Sequence, residues 1–332
     1  MILRPIPNLV NTMQIQWFPG HMNKARNEVK AALPKVDVLI EVLDARIPYS
    51  SENPMLRELR GNKPTLKVLA KSDLADPQLT KEWLVWHERK DGVKARAITT
   101  DNIPLIRSIP SLCTRMLPHK QDEGKRIMAM IVGIPNVGKS TLINALAGRT
   151  IAKTGNEPAV TKGQQRINIA NGFSLLDTPG MLWPKVENPA SGFRLAAVGS
   201  IKETAMEYED VAAFIVKYLL KHYADRLQKR YQLDPMPTDM LETLDTIAKK
   251  RGCLGRSGVV DYERVCKIVI TELRSGMLGP LTLETPSLIE TEVAELEIEL
   301  AAKDRSKKEK KEKRKAAFKA KNRAKIQSRR RS

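Results

Sequence analysis

The 332-residue sequence predicts an α/β fold, in which a mostly parallel sheet with helices on both faces is followed by an all-helical domain and a basic tail. Three observations predict it. Short apolar runs alternate with helix-length segments through the first 180 residues, as in parallel sheets with crossover helices. After about residue 200, apolar residues recur at helical spacing. The segment 303–332 holds 16 basic and 3 acidic residues and is too polar to bury a core.

Each predicted strand is a short apolar run, and each predicted helix begins at a capping residue or proline. Asn171-Gly172, between the last two runs, signals a two-residue hairpin. The predicted strands are 36–43, 65–70, 95–99, 127–132, 166–170 and 173–176. The later helices are predicted to begin near 211, after Thr238 as N-cap, at Asp261 and at Pro286. We expect a first domain over 13–200, a helical domain over 201–301 and a disordered basic tail over 302–332.

The composition limits the class of protein. Hydrophobic residues make up 42% of the chain and charged residues 29%, which excludes wholesale disorder. No window reaches the roughly 20 apolar residues that a membrane span requires. Three cysteines without Cys-x-x-Cys spacing favour a reducing compartment, so we expect a cytoplasmic protein, with Met1 or Met13 as its start. The net charge of +19 predicts a polyanionic partner.

The most specific motif is GIPNVGKS at 133–140, which matches G-x-x-x-x-G-K-[ST]. It follows a predicted strand and opens a helix, as a phosphate-binding loop (P-loop) requires. Its glycines let backbone N–H groups surround phosphate oxygens, while Lys139 can reach the β- and γ-phosphates and Ser140 can bind Mg²⁺. The predicted nucleotide contacts are Asn136, Val137, Gly138, Lys139, Ser140 and Thr141.

Two further segments fit a nucleotide switch. Asp177-Thr-Pro-Gly180 follows a predicted strand, so Asp177 could hold Mg²⁺ and the Gly180 N–H could contact a γ-phosphate. Thr161 lies in a loop between this segment and the P-loop, and it is a second candidate Mg²⁺ ligand. The order of the three segments is the one that a switch NTPase needs. We assign Thr161 and Lys139 to catalysis.

A base-reading loop precedes the P-loop by about 60 residues. Ala70, Lys71, Ser72 and Asp73 follow a predicted strand and are similar to the guanine-recognition motif N-K-x-D. A carboxylate at Asp73 can accept hydrogen bonds from guanine N1–H and N2–H₂, whereas adenine lacks that pair of donors. In ordinary small GTPases this loop comes last, so the order here indicates a circular permutation. The segment 99–100, Thr99 with Thr100, is the predicted supporting loop.

Together these motifs resemble the circularly permuted GTPases that assemble ribosomes. The segments WFPGHMNKA at 17–25, DARIP at 44–48 and the Trp-Pro pair at 183–184 resemble the RbgA (YlqF) family within that group. The resemblance covers about residues 13–300. It implies a circularly permuted P-loop GTPase domain whose C-terminal helical domain contacts ribosomal RNA. It further implies an enzyme that acts late in maturation of the large ribosomal subunit.

The resemblance also suggests roles for single residues. His21 matches the family's proposed catalytic histidine. Asn136 matches the residue that coordinates K⁺ in similar GTPases, where the ion stands in for an arginine finger. Met181 replaces the water-orienting Gln of Ras-like enzymes, and the family shares this change. Ala70 replaces the family's usual Asn, which predicts weaker guanine affinity.

Three functions remain open at this point. We expect a switch that binds pre-ribosomal particles with GTP and Mg²⁺ and leaves after hydrolysis, as a monomer off the ribosome and without a membrane partner. Its basic tail should bind RNA phosphates. The alternative is an RNA-binding or chaperone protein whose nucleotide site tunes affinity without significant turnover, because Met181 and Ala70 depart from ordinary GTPases. A P-loop ATPase is the third, and Asp73 disfavours it.

Overall fold

The structure is a computed structural model that describes residues 20–122, 126–152, 165–170, 172–183 and 186–329. These residues form one six-stranded sheet flanked by helices, followed by further helices and a long terminal helix. The α/β prediction with a C-terminal helical region is confirmed.

The sheet has the order β3-β2-β1-β4-β6-β5. Neighbouring strands run parallel except β5 and β6, which pair antiparallel. The carboxyl ends of β1, β2, β3, β4 and β6 therefore share one edge, where ligands bind in open α/β sheets. The strands are β1 (Val38–Asp44), β2 (Thr65–Ala70), β3 (Val93–Ala97), β4 (Ile127–Gly133), β5 (Gln165–Ala170) and β6 (Phe173–Asp177).

Strands β1 and β2 are buried along their whole length, which explains their continuous apolar runs. Glu41 and Lys67 interrupt these runs, and they pair in register with their charged atoms 3.2 Å apart. A buried charge is tolerated when it is paired in this way.

Several helices begin at a side-chain cap, at a proline in the first turn, or at both. Asp76 accepts hydrogen bonds from two backbone N–H groups of α3, and Asp261 caps α12 by accepting from the Arg264 N–H. Asp239 rather than Thr238 caps α11, because its carboxylate accepts from the Glu242 N–H. The first seven helices are α1 (Gly20–Ala32), α2 (Pro54–Arg60), α3 (Pro77–Glu88), α4 (Ile103–Arg107), α5 (Ile109–Arg115), α6 (Pro118–Asp122) and α7 (Lys139–Ala147). The others are α8 (Pro189–Ala197), α9 (Tyr208–His222), α10 (Ala224–Tyr231), α11 (Met240–Lys250), α12 (Tyr262–Arg274) and α13 (Pro286–Arg329).

The described residues up to Pro286 form one compact unit, and those after it form a second. The helical region packs on the sheet domain within the first unit, so the domain boundary at 200 stays a prediction. The second unit is the helix α13. It continues through the basic segment that was expected to be disordered, because residues 287–329 contain neither Gly nor Pro and include pairs such as Lys303 with Glu299 at 3.3 Å.

Candidate nucleotide-binding site

The P-loop lies between β4 and α7, at the carboxyl edge of the sheet. A Cβ added to Gly133 would lie 2.5 Å from the Val42 carbonyl oxygen, so only glycine fits this close approach to β1. Gly138 has φ +106° and precedes the first residue of α7. The backbone N–H groups at this helix N-terminus can therefore bind an anion.

Lys139 is buried at the start of α7. Its ammonium donates to the carbonyl oxygens of Gly133 and Ile134, both at 3.1 Å, so it folds back over the P-loop. Burial lowers its pKa to about 8, and the nearby Asp177 carboxylate opposes that shift. A phosphate would supply the negative charge that the two neutral carbonyls do not.

The D-T-P-G segment follows β6, which pairs directly with β4. The Asp177 side chain is buried, and its Oδ1 has no hydrogen-bond partner among the described residues. Burial raises its pKa to about 6, against the attraction of Lys139. A Cβ added to Gly180 would lie 3.0 Å from the Lys139 Nζ and 3.0 Å from the Pro135 Cα, so this segment contacts the P-loop.

The base-reading loop begins where β2 ends at Ala70. Lys71 has a left-handed backbone with φ +58°, and its ammonium donates to the Asn136 carbonyl oxygen at 2.8 Å. A Cβ added to Gly138 would lie 3.8 Å from the Ala70 Cβ. The base-reading loop and the P-loop, about 60 residues apart in the chain, are therefore in contact.

The supporting loop follows β3 and lies beside the base-reading loop. The Ser72 N–H donates to the Ile98 carbonyl oxygen at 3.1 Å, which ties the two loops together. Thr99 is half-buried, whereas Asp73 and Thr100 are exposed. The Asp73 carboxylate is therefore accessible to a base.

The remaining predicted residues divide into three groups. Val137 is buried in the core, while Ser140 and Thr141 lie in the first turn of α7 and are half-buried and exposed, respectively. The Asn136 side-chain amide donates to the Gly199 carbonyl oxygen at 2.8 Å. Thr161 and the His21 side chain lie outside the described residues. The roles of all these residues in binding and catalysis stay predictions.

Several known proteins that are similar to this chain share the name ribosome biogenesis GTPase A. The family described as a 50S ribosome-binding GTPase matches residues 128–251. Ribosome biogenesis GTPase A of Bacillus cereus is 46% identical over 292 residues, which cover 86% of this chain and 98% of that protein. The chain belongs to the ribosome biogenesis GTPase A family. Mitochondrial ribosome-associated GTPase 1 of Bos taurus is 32% identical, over 81% of this chain and 88% of that protein.

Solved structures agree with the family assignment. The GNP-bound YlqF of T. maritima is 28% identical with a TM-score of 0.56, over 79% of this chain and 98% of that chain. A GDP-bound YlqF also has a TM-score of 0.56 and is 26% identical, over 78% of this chain and 99% of that chain. The resemblance to the RbgA (YlqF) family is confirmed, and the protein is a GTPase. The family therefore disfavours the two alternatives, an ATPase and a protein without turnover.

Members of the ribosome biogenesis GTPase A family hydrolyse GTP, and GTPases of this kind typically use Mg²⁺. The donor set of this chain fits that ion. Asp177, at the carboxyl end of β6, offers a buried oxygen that no described residue bonds, and the Ser140 hydroxyl lies in the first turn of α7. When bound, Mg²⁺ would neutralise charge that develops on the β- and γ-phosphates.

Asp44 and Arg46 are buried residues of the DARIP segment at 44–48, and neither has a role assigned from the sequence. Asp44 ends β1 and accepts hydrogen bonds from the Lys71 ammonium at 2.9 Å and from the Arg46 guanidinium at 2.8 Å and 2.9 Å. Burial would raise the pKa of Asp44, but the attraction of Arg46 and Lys71 outweighs it and lowers that pKa. One feature of the sequence does point to this cluster: Asp44 is an acidic residue at the carboxyl end of a predicted parallel strand.

None of the helices in the described ranges is both long enough and apolar enough to cross a membrane.

Proposed function

We propose that this GTPase acts as a switch in late assembly of the large ribosomal subunit. In the GTP state it binds pre-ribosomal particles through their RNA, and it leaves after hydrolysis. The observation that carries the proposal is the position of Gly180 beside the Lys139 ammonium, where an added Cβ would lie 3.0 Å from the Lys139 Nζ. A γ-phosphate bound to Lys139 must displace this segment or bond to it, so nucleotide state and the conformation of residues 177–180 are coupled.

The roles of the site residues follow from their positions. Lys139 exchanges its two carbonyl acceptors for phosphate oxygens, and the N–H groups of the P-loop bind the remaining oxygens. The Asp73 carboxylate accepts from guanine, and Lys71 holds the base-reading loop on the P-loop. We assign Mg²⁺ to Ser140, Thr161 and Asp177.

Catalysis needs a group other than Met181, because this residue is 1% exposed and the sulfur of its side chain is only a weak hydrogen-bond acceptor. We assign that role to His21, and we assign to Asn136 a K⁺ ion that would offset phosphate charge. Phosphate release, measured with large ribosomal subunits in K⁺ and then Na⁺ buffer, tests both assignments. His21→Ala should retain GTP binding and lose subunit-stimulated turnover, and an unchanged rate would remove His21 from the mechanism.

The relatives' names support a ribosomal partner, and the charge of α13 supports binding to RNA. The segment 303–332 carries 16 basic and 3 acidic residues, and its side chains from Lys303 to Lys315 are exposed. Lys and Arg on such a helix bind phosphates and release counterions, so affinity should fall steeply with salt. We further propose a cytoplasmic protein that is a monomer off the ribosome.

Sedimentation with large-subunit precursor particles tests the proposal. The protein should co-sediment with precursors in the presence of a non-hydrolysable GTP analogue and remain in the supernatant with GDP. Mature small subunits are the matched control. Equal sedimentation in both nucleotide states would contradict the switch, although the protein would remain a GTPase.

A further inference from the structure

The base-reading loop is held from outside the nucleotide site. Residues 276–284, which we call the return segment, follow α12 and come back to the sheet domain. The Leu281 N–H donates to the Leu74 carbonyl oxygen at 3.0 Å. A Cβ added to Gly276, which has φ +78°, would lie 2.7 Å from the Leu74 Cδ2. Leu74 ends the 3₁₀ turn that contains Asp73, so the return segment packs directly on this loop.

A second link runs through the buried Asp44–Arg46 pair. The Arg46 guanidinium donates to Asp44 and also to the carbonyl oxygens of Leu273 at 3.5 Å and Arg274 at 3.3 Å, in the last turn of α12. Asp44 in turn accepts from the Lys71 ammonium, which reaches the P-loop. One chain of charged hydrogen bonds thus connects the end of α12 with both loops of the nucleotide site.

These contacts replace a brace that the base-reading loop lacks. Ala70 has no side-chain amide, and Lys71 adopts a left-handed backbone that a residue with a Cβ keeps only when its surroundings impose it. The imposing contacts come from Asp44 on one side and from the return segment, through Leu74, on the other.

We propose that the end of α12 and the return segment position the base-reading loop, so that guanine affinity is linked to the helical region. Asp44, Arg46 and Gly276 are positioning residues, since none of them needs to touch the nucleotide. The inference rests on the proposed base-reading role of Asp73. By linkage, a partner that moves α12 changes guanine affinity, and bound guanine nucleotide changes affinity for that partner by the same factor.

Two glycines provide a matched test of this link. Gly276→Ala places a methyl group against Leu74. Gly252 also has a positive φ, of +64°, but the Cβ added in Gly252→Ala would have no atom of the described residues within 4 Å. Both variants therefore carry backbone strain, but only Gly276→Ala also forces the side chain of Leu74, in the base-reading loop, to move. We measure binding of fluorescently labelled GDP, then competition by GDP and by IDP, which lacks the N2 amino group.

We expect Gly276→Ala to bind GDP about tenfold more weakly and to lose most of the preference for GDP over IDP, a loss that general destabilisation does not produce. Gly252→Ala should keep both values within about twofold. Equal GDP affinity and equal preference in the two folded variants would overturn the inference.

Asp44→Asn provides an independent measurement if Gly276→Ala does not fold. It retains the shape of the side chain but removes the charge that holds Lys71 and Arg46, so GDP affinity should fall about 10- to 100-fold. In the wild type we expect bound GDP to slow amide exchange at residues 275–278, and Asp44→Asn should abolish that slowing. Wild-type affinity and exchange would overturn the inference.

Asp73→Asn distinguishes the base-reading role of Asp73 from the link between the base-reading loop and the helical region. If it keeps the wild-type preference for GDP over IDP, the base-reading role of Asp73 fails, and with it the inference. If it loses that preference while Gly276→Ala and Asp44→Asn keep it, Asp73 reads the base and only the link to the helical region fails.

Discussion

The two halves of the nucleotide site are built differently. In the phosphate half, burial lowers the pKa of Lys139 and raises that of Asp177, which favours their neutral forms, and one buried Asp177 oxygen has no hydrogen-bond partner among the described residues. In the base half, burial likewise lowers the pKa of Lys71, but the mutual attraction of Asp44 and Arg46 exceeds the effect of their burial and shifts both pKa values to favour the charged forms. The base half is therefore organised before the nucleotide binds, whereas the phosphate half depends on ligand charge for its electrostatic balance.

Removing the phosphate half's cation should have the largest effect. Lys139→Ala eliminates the charge-assisted hydrogen bonds to the phosphates, so GTP affinity should fall by at least about 100-fold. Binding of labelled GTP measures the loss. Because the buried ammonium bonds two carbonyl oxygens and no carboxylate of the described residues, the nucleotide-free protein should remain folded in a thermal melt. Retained nanomolar GTP binding would refute the phosphate-site assignment.

Asp177→Asn tests whether the phosphate half sacrifices stability for function. The native pKa of about 6 lies above the ordinary value of 3.8, so the ionised side chain destabilises the fold above pH 6 and costs nothing below pH 4. This net shift, which already includes the attraction of Lys139, corresponds to about 3 kcal/mol, and the buried amide of the variant carries a smaller desolvation cost of its own. Asp177→Asn should therefore gain about 1–2 kcal/mol of unfolding free energy at pH 7.5, a gain that vanishes as pH falls from 6 to 4.

Urea unfolding at several pH values measures this gain, and Asp91→Asn, at an exposed turn residue, is the control. The same Asp177→Asn variant should lose the Mg²⁺ dependence of GTP binding, because the amide is a poorer partner for the hydrated ion. A variant that is less stable than the wild type at pH 7.5 would show that the Asp177 charge is compensated in the free protein.

Lys71→Met sharpens the comparison from the base side. It breaks the hydrogen bond to the Asn136 carbonyl oxygen and the ion pair with Asp44, so the affinities for GDP and GTP should both fall about tenfold. The ratio of the two affinities should stay unchanged, since this lysine does not sense the γ-phosphate. Titrations with both labelled nucleotides give that ratio. A changed ratio would mean that the two halves are not separable.

The phosphate half and the base half also differ in how much of each could be predicted from the sequence. The P-loop follows one contiguous pattern after a strand, so its place between β4 and α7 is readable from spacing. The contact of the base-reading loop with the P-loop follows once both are placed at the carboxyl edge of one sheet. The packing of the Leu74 side chain against Gly276 joins residues about 200 positions apart, and no local sequence pattern encodes such a contact.

The tail shows a related limit. Its composition predicted disorder because it lacks apolar residues to bury, yet composition does not exclude a helix supported by its own backbone bonds and by pairs such as Lys303 with Glu299. A run of charged residues indicates that a segment buries little apolar surface against the rest of the fold. It does not indicate whether that segment forms a helix.

The smallest expected effect is the most informative about the base half. Ala70→Asn restores the amide that similar GTPases use as a brace, next to Gly138 of the P-loop. If Asp44, Lys71 and the return segment already fix the loop, the amide adds one hydrogen bond to an ordered structure, and GDP affinity should rise less than about threefold. Ala70→Val, which adds bulk without an amide, should give no gain. A rise above tenfold for Ala70→Asn alone would mean that the base-reading loop is loose without its asparagine, and the contrast between the two halves would fail.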